Sequence, residues 1–89
     1  MPTTPTIRYP AWYDPDQEYE YQAKGRLVLD AVINQQAHTF TFYDPVRLQQ
    51  DIAAELELGA AFYETRLVVL PSVTHANIER FLQQHFQVA

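Results

Sequence analysis

The sequence predicts an α+β domain, a small two-layer mixed sheet whose elements follow the order β-β-α-β-α. Three observations predict this class: period-two alternation of apolar and polar residues, helical spacing of apolar residues in two stretches, and an apolar run between those stretches. The chain has 89 residues, the size of one domain. We expect residues 1–17 to form an extended N-terminal segment and residues 18–89 to form the single α+β domain.

The N-terminal segment is rich in proline and aromatic residues. It holds four of the six prolines in the chain, and proline removes an amide donor and fixes φ, so regular structure is not expected there. The aromatic residues Tyr9, Trp12 and Tyr13 are unusual for a disordered tail. We therefore expect the segment to pack on the domain or on a neighbouring molecule.

Strand one is predicted from an alternation of apolar and polar residues that is too long for one strand in so small a domain. Gly25 is a natural place for a bend. The core strand is therefore predicted at 25–33, after a separate extended piece at 18–24. Residues 34–37 lack the Asn-Gly pair of the tightest hairpins, and they predict a four-residue loop before strand two at 38–43.

The pair Asp44-Pro45 predicts the start of the first helix. Aspartate accepts hydrogen bonds from the free amides of a helix N-terminus, and proline suits the first helical position. Gly59 is well placed to end the helix. Apolar residues recur every four positions between these ends, at Leu48, Ile52 and Leu56.

The third strand is predicted at 61–70, because its last four residues are apolar on both faces. Thr74 is predicted to cap the second helix, where Val73 and Ile78 have the spacing of a hydrophobic staple. A right-handed crossover through the first helix should make strands two and three parallel, and strand one should be antiparallel to strand two. We expect both helices to cover one face of the sheet.

The other face of the predicted sheet lacks a helix to cover it. It carries Val28, Val32 and part of the apolar run at 67–70. Exposed apolar sheet surface is typical of an interface. We expect this face to be covered either by the N-terminal segment or by a second polypeptide.

The chain is acidic, with a net charge of −5 and a pI near 4.9. This charge has the wrong sign for a nucleic-acid partner. The sequence contains neither an apolar run of membrane-spanning length nor the start of a signal peptide. It also lacks cysteine, which in so small a domain favours a reducing compartment. We therefore predict a cytoplasmic protein without nucleic-acid or membrane partners.

Motifs for catalysis and for cofactor binding are missing from the sequence. Ser72 lacks the flanking glycines of a nucleophile elbow, and His38, His75 and His85 lack the spacing of metal ligands. With two glycines in all, the chain has no phosphate-binding loop. We predict no catalytic residue, no metal and no cofactor, and a protein that is not an enzyme.

The leading functional hypothesis is a small protein-interaction domain that self-associates, most simply as a two-fold homodimer. Its expected interface combines the uncovered sheet face with aromatic and acidic residues near the N-terminus, since aromatic side chains supply contact area at low entropic cost. The predicted interface residues are Tyr9, Trp12, Tyr13, Asp14, Asp16, Tyr19, Tyr21, Val28 and Val32.

Two alternative hypotheses remain open. The acidic N-terminal cluster could let the chain act as an inhibitor or immunity-like protein that blocks a basic toxin or nuclease. Alternatively, Ser72, His75 and Arg66 could form a small-molecule site near the C-terminal end of strand three, where α/β folds place ligands.

Overall fold

The computed structural model describes residues 5–86, apart from the side chain of Pro15. The first four residues of the predicted N-terminal segment therefore lie outside the described part. Within it the strands and helices follow the order β-α-β-β-α-β-α, and a short 3-10 turn at Pro15–Gln17 precedes the first helix. The elements are β1 (Thr6–Arg8), α1 (Glu18–Lys24), β2 (Arg26–Ile33), β3 (Gln36–Tyr43), α2 (Pro45–Glu57), β4 (Leu67–Val69) and α3 (His75–Phe86).

The four strands form one mixed sheet in the order β1-β2-β3-β4. Strand β2 is antiparallel to both β1 and β3, and β3 is parallel to β4. The predicted α+β class and the predicted directions of the three main strands are therefore confirmed. The parallel pair is joined through α2, as a crossover connection requires.

One side of the sheet, which we call the core face, carries the hydrophobic core. Strand β2 buries every second residue, and β3 places two phenylalanines on the same face. Helix α3 covers this face, and its capping residue Thr74 accepts a hydrogen bond from the Asn77 amide at 3.2 Å, as predicted. The core residues from the sheet and α3 are Leu27, Leu29, Ala31, Ile33, Phe40, Phe42, Ile78 and Leu82.

Residues 18–24 form helix α1, so the predicted extended piece is wrong. Alternating Glu and Tyr produce a period of two, but these residues also tolerate a helix, and acidic residues in the first turn with Lys24 in the last suit the helix dipole. Gly25 ends the helix with a left-handed φ of 71°. In the helical arrangement Tyr21 is buried and Tyr19 is exposed, although the alternation placed both on one face.

Two strand boundaries also differ from the prediction. The loop at 34–37 is a two-residue turn in which Asn34 and Gln35 both have positive φ, so β3 begins at Gln36. Strand three was predicted at 61–70, but β4 has only three residues, Leu67–Val69. Arg66 precedes β4 with a φ of 48°, which is incompatible with an extended strand.

The prediction that both helices cover one face is wrong. We call the side of the sheet opposite the core face the open face; Tyr43 and Arg26 lie on it, one position from the core residues Phe42 and Leu27. Helix α2 joins this open face, because Asp51 accepts a hydrogen bond from the Tyr43 hydroxyl. The predicted start of α2 is confirmed, since the Asp44 carboxylate accepts a hydrogen bond from the Arg47 amide at 2.7 Å.

The N-terminal segment is not simply extended. The predicted order β-β-α-β-α omits strand β1, which lies in this segment, and helix α1, which follows it. Strand β1 pairs with β2 at the sheet edge, with Ile7 opposite Ala31. Beyond β1, Tyr9 and Tyr13 pack against the core. The segment therefore lies on the core face beside α3 and does not cover the open face.

Candidate functional site

A row of stacked rings, which we call the aromatic ladder, joins the N-terminal segment to α1 and α3. The ring centroids of Tyr9 and Tyr13 are 4.1 Å apart, and those of Tyr13 and Tyr21 are 4.7 Å apart. The imidazole of His75 stacks on Tyr9 at 5.5 Å. Aromatic pairs at these separations contribute about 0.5–1.5 kcal/mol each beyond their buried area. The ladder therefore holds the segment in place.

His75 connects three parts of the chain through separate hydrogen bonds. Its Nδ1 bonds to the Tyr9 hydroxyl, its Nε2 lies 3.0 Å from a Glu79 carboxylate oxygen, and its backbone amide donates to Glu18 at 2.6 Å. Because Nε2 faces a carboxylate, the neutral ring carries its proton there and Nδ1 accepts from Tyr9. Glu18 thus caps the N-terminus of α3 from a different helix.

Tyr9 remains a protonated phenol in this arrangement. Burial raises the pKa of the Tyr9 hydroxyl, and the neighbouring Tyr13, Glu79 and Glu18 raise it further. A phenol with a raised pKa is a hydrogen-bond donor and a poor nucleophile at neutral pH. Tyr9, Tyr13, Glu18 and His75 line a surface pocket of about 540 Å³. Stacking covers the ring faces, the Glu18 carboxylate accepts from the His75 backbone amide, and the imidazole bonds to Tyr9 and Glu79, so this site suits structural attachment.

The predicted interface residues divide between the two faces of the sheet. Val28 and Val32 are half-buried on the open face, since they alternate with the core residues of β2. The N-terminal group lies by the core face, where Tyr21 is buried and its hydroxyl accepts a hydrogen bond from the Asp14 amide at 2.8 Å. The predicted residues that lie exposed on that side are Trp12, Asp16 and Tyr19.

The three residues of the small-molecule hypothesis are engaged at different places. The Ser72 hydroxyl accepts a hydrogen bond from the Asn77 amide group at 3.1 Å, while His75 bonds to Tyr9 and Glu79. Arg66 lines a separate pocket, together with Ile33, His38, Phe40 and Phe86. Within residues 5–86, no three His, Cys, Asp or Glu side chains lie close enough together to hold a metal ion.

A polar network on the open face attaches α2 and the segment that follows it. The Tyr43 hydroxyl donates to Asp51 at 2.6 Å and accepts from Arg26 at 3.0 Å. Arg47 donates to the other Asp51 oxygen at 2.9 Å, and Arg26 forms an ion pair with Glu64 at 3.3 Å. The network links β2, β3 and α2 with residues 61–64.

Hydrogen bonds determine the ionisation of this network. Burial alone would raise the pKa of Asp51, but the hydrogen bonds from Tyr43 and Arg47 outweigh it and lower that pKa. Burial raises the pKa of Tyr43, and its hydrogen bond to Asp51 adds to this effect. At neutral pH, Asp51 is therefore an anion that accepts from a protonated tyrosine.

A cleft of about 390 Å³ lies between α2 and residues 61–64. The polar network forms one part of it, and Glu55 and Tyr63 form another. Large apolar side chains project into solvent around the end of α2: Leu56 is 60%, Leu58 81% and Tyr63 82% exposed. None of the thirteen residues of α2, all of them described, is buried. Leu48 and Ile52 are half-buried. Hydrogen bonds from Tyr43 to Asp51 and from Arg47 to the Lys24 carbonyl complete the attachment of the helix.

On the open face, Thr41 and Tyr43 of β3 are buried, whereas the apolar residues of β4 are not. Leu67 and Val69 are exposed there at the β4 edge, beside Thr41 and Tyr43 of β3. At the opposite edge, Arg8 of β1 pairs in register with Asp30 of β2.

Within residues 5–86, no helix is long and apolar enough to cross a membrane. No protein-family model, curated protein or solved structure matches this chain, so its function is inferred from the residues and contacts described above.

Proposed function

We propose that this chain is a small non-enzymatic protein-interaction domain that self-associates through the open face of its sheet. The observation that carries the proposal is that Val28 and Val32 on β2 are only half-buried on this face, while Leu67 and Val69 on β4 are exposed on it. Helix α3 and the aromatic ladder lie on the core face, whereas α2 contacts the open face at Tyr43, and the neighbouring Thr41 is buried as well. Apolar sheet surface of this kind is typical of interfaces.

The charges of the open face favour a second copy as its partner. Arg8 and Asp30 are neighbours in register, and Arg26 is paired with Glu64, so opposite charges balance although the chain as a whole carries −5. A two-fold axis brings one surface against itself, so Arg8 of one copy can approach Asp30 of the other. Two copies therefore meet without the like-charge repulsion that an acidic surface would cause.

The proposed interface is smaller than the one predicted from the sequence. Its β2 residues, Val28 and Val32, are retained. Leu67 and Val69 add a second apolar patch, exposed on β4 across the buried Thr41 and Tyr43 of β3. The tyrosines of the aromatic ladder are left out, because they pack within their own domain. Two such sheets can pack face to face at about 10 Å.

Light scattering and sedimentation across a concentration series up to high micromolar test this proposal. The wild-type chain should approach twice its mass of 10.4 kDa, and Val28→Lys or Val32→Lys should restore the single-chain mass. Gln83→Lys places the same charge on an exposed position of α3 and should leave the dimer intact. Circular dichroism checks that the variants remain folded. A wild-type chain that stays at 10.4 kDa throughout, or a dimer insensitive to both valine variants, contradicts the proposal.

The alternatives raised by the sequence stay predictions. An inhibitor of a basic protein retains Trp12, Asp16 and Tyr19 as exposed contact residues, whereas Asp14 is part-buried and one oxygen of its carboxylate accepts a hydrogen bond from the Asp16 amide. The small-molecule hypothesis has no shared site for Ser72, His75 and Arg66 among the described contacts.

A further inference from the structure

The C-terminal end of α2 has a charge arrangement that is unfavourable in the isolated chain. Glu55 and Glu57 lie in the last turn of the helix, which contains no basic residue. A helix C-terminus carries partial negative charge, so carboxylates there are destabilising and cations are favoured. Among the residues that the structure describes, neither Glu55 nor Glu57 forms an ion pair or a side-chain hydrogen bond. Departures from local rules of this kind are expected at functional sites.

Apolar side chains surround these glutamates. Leu56 and Leu58 alternate with them along the chain and are mostly exposed, and Tyr63 is exposed nearby. Isolated apolar residues on a surface need no explanation, but here two leucines and a tyrosine accompany two unpaired carboxylates. A partner segment with cationic and apolar side chains could pair with the carboxylates and cover the leucines at the same time.

The cleft beside α2 places Glu55 and Tyr63 on its lining together. The other two carboxylates that line it, Asp51 and Glu64, are already paired with Arg47 and Arg26. Glu55 is therefore the carboxylate left for an incoming cation. The exposed ring of Tyr63 can add a cation–π contact, worth about 0.5–1 kcal/mol at an exposed site.

We propose that the end of α2 and the adjoining cleft dock a cationic, amphipathic segment of another protein. A Lys or Arg side chain of the partner lies between Glu55 and Tyr63, and apolar residues of the partner pack on Leu56 and Leu58. Charge selects this occupant over a second copy of the chain, because a two-fold contact here would bring Glu55 and Glu57 against their own counterparts. This surface differs from the valine surface proposed for self-association.

Fluorescence anisotropy with the full chain tests the docking site. The probe is a labelled peptide of about 18 residues, five helical turns, made of Leu and Lys in helical amphipathic order. One comparison peptide has the same composition in scrambled order, and another has Glu in place of Lys. The ordered Lys peptide should bind, with affinity falling as salt rises from about 50 to about 300 mM, and the other two should bind more weakly.

Matched variants locate the contact. Glu55→Gln/Glu57→Gln should weaken binding about 3- to 10-fold, the range expected for two partly exposed charges. Asp16→Asn/Glu20→Gln removes two exposed charges near α1 and should leave affinity within about 2-fold, because these residues lie outside the cleft. Leu56→Ser/Leu58→Ser should weaken binding by about 10-fold or more through lost apolar contact, and Val46→Ser at the other end of α2 should not.

Three results would overturn the docking site: no binding of the Lys peptide, equal binding of the scrambled peptide, or equal loss in the two charge variants. The Val32→Lys variant separates this proposal from self-association, since it should bind the peptide as the wild type does. All substituted α2 positions are exposed, so the variants should fold, and circular dichroism verifies this.

Discussion

Gly25 fixes the junction between α1, β2 and α2. It ends α1 with a φ of 71°, and its carbonyl accepts a hydrogen bond from the Asp44 amide at 2.9 Å. A side chain at this position would place Cβ 2.5 Å from the Asp44 carboxylate, the group that caps α2. Glycine is therefore needed here both for the backbone angle and for space.

The two glycines of the chain allow these two requirements to be separated. Gly59 has a φ of 78°, but a Cβ there would meet nothing within 4 Å. We expect Gly59→Ala to lower the free energy of unfolding by about 1 kcal/mol, the strain of a left-handed alanine. Gly25→Ala should lower it by about 1–3 kcal/mol more, because the Asp44 cap must move. Urea denaturation measures both, and equal losses would show that the contact with Asp44 is unimportant.

At the scale of elements, the β2–β3 hairpin forms a tight turn although one of its two turn residues is unfavourable there, because strand register decides the turn. Asn34 and Gln35 have φ values of 52° and 68°, typical of a type I′ turn, although Gln is a poor residue for positive φ. The two-residue turn pairs Ile33 with Gln36, and this register places Phe40 opposite Leu29 on the core face. A register shifted by one residue would move the phenylalanines to the open face, so core burial determines the turn.

This strained turn can be relieved by glycine. Gln35→Gly gives the Asn-Gly pair favoured in type I′ turns and should raise the free energy of unfolding by about 0.5–1 kcal/mol. Gln36→Gly, one residue later in the extended β3, is the control and should lower it by about 0.5–1 kcal/mol. Thermal and urea denaturation measure both variants. A loss of stability in Gln35→Gly would contradict the role assigned to the turn.

At the scale of the whole molecule, the two long helices are attached by different forces. Helix α3 buries Ile78 and Leu82 in the core, whereas α2 buries none of its residues and is held by Asp51, which bonds to Tyr43, and by Arg47, which donates to the Lys24 carbonyl. Local stability follows buried apolar contact, so α2 should open more readily than α3. Because the pKa of Asp51 is lowered in the folded protein, this attachment is present above about pH 4 and is lost as pH falls further.

Hydrogen exchange read by NMR tests this difference. At neutral pH, amides of α2 should have lower protection factors than those of α3, and Asp51→Asn should lower the α2 values further, by about 5-fold or more, through loss of a charged acceptor. Glu55→Gln, on the same helix, removes a carboxylate without an intramolecular partner; as the control it should leave the α2 protection factors unchanged or raise them slightly, since a carboxylate at a helix C-terminus is unfavourable. As pH falls below about 4, wild type and Asp51→Asn should converge. Equal protection of both helices would contradict the polar attachment of α2.

The sequence by itself determined the features that depend on residues close together in the chain. Asp44-Pro45 and Thr74 start their helices where predicted, because capping bonds reach only three residues along the chain. The alternation of β2 correctly identified its core face, and the crossover rule gave the parallel pair β3–β4. By contrast, Tyr and Glu alternate in α1 with a period that also suits a strand, and the sequence signals for a helix are confined to the charges at its two ends and to Gly25.

Only the tertiary structure decided which face each helix covers and where the candidate sites lie. The Tyr43 network joins Arg26, Asp51 and Glu64, and the ladder joins Tyr9 to His75, so these contacts link residues that are distant in the chain. Local patterns contain no information on such pairings, and reading 61–70 as one strand concealed the cleft that Tyr63 lines. The sequence signal available for the docking site was the pair of glutamates in the last turn of α2. Carboxylates are unfavourable at a helix C-terminus, so their presence there indicates a role other than stabilising the helix.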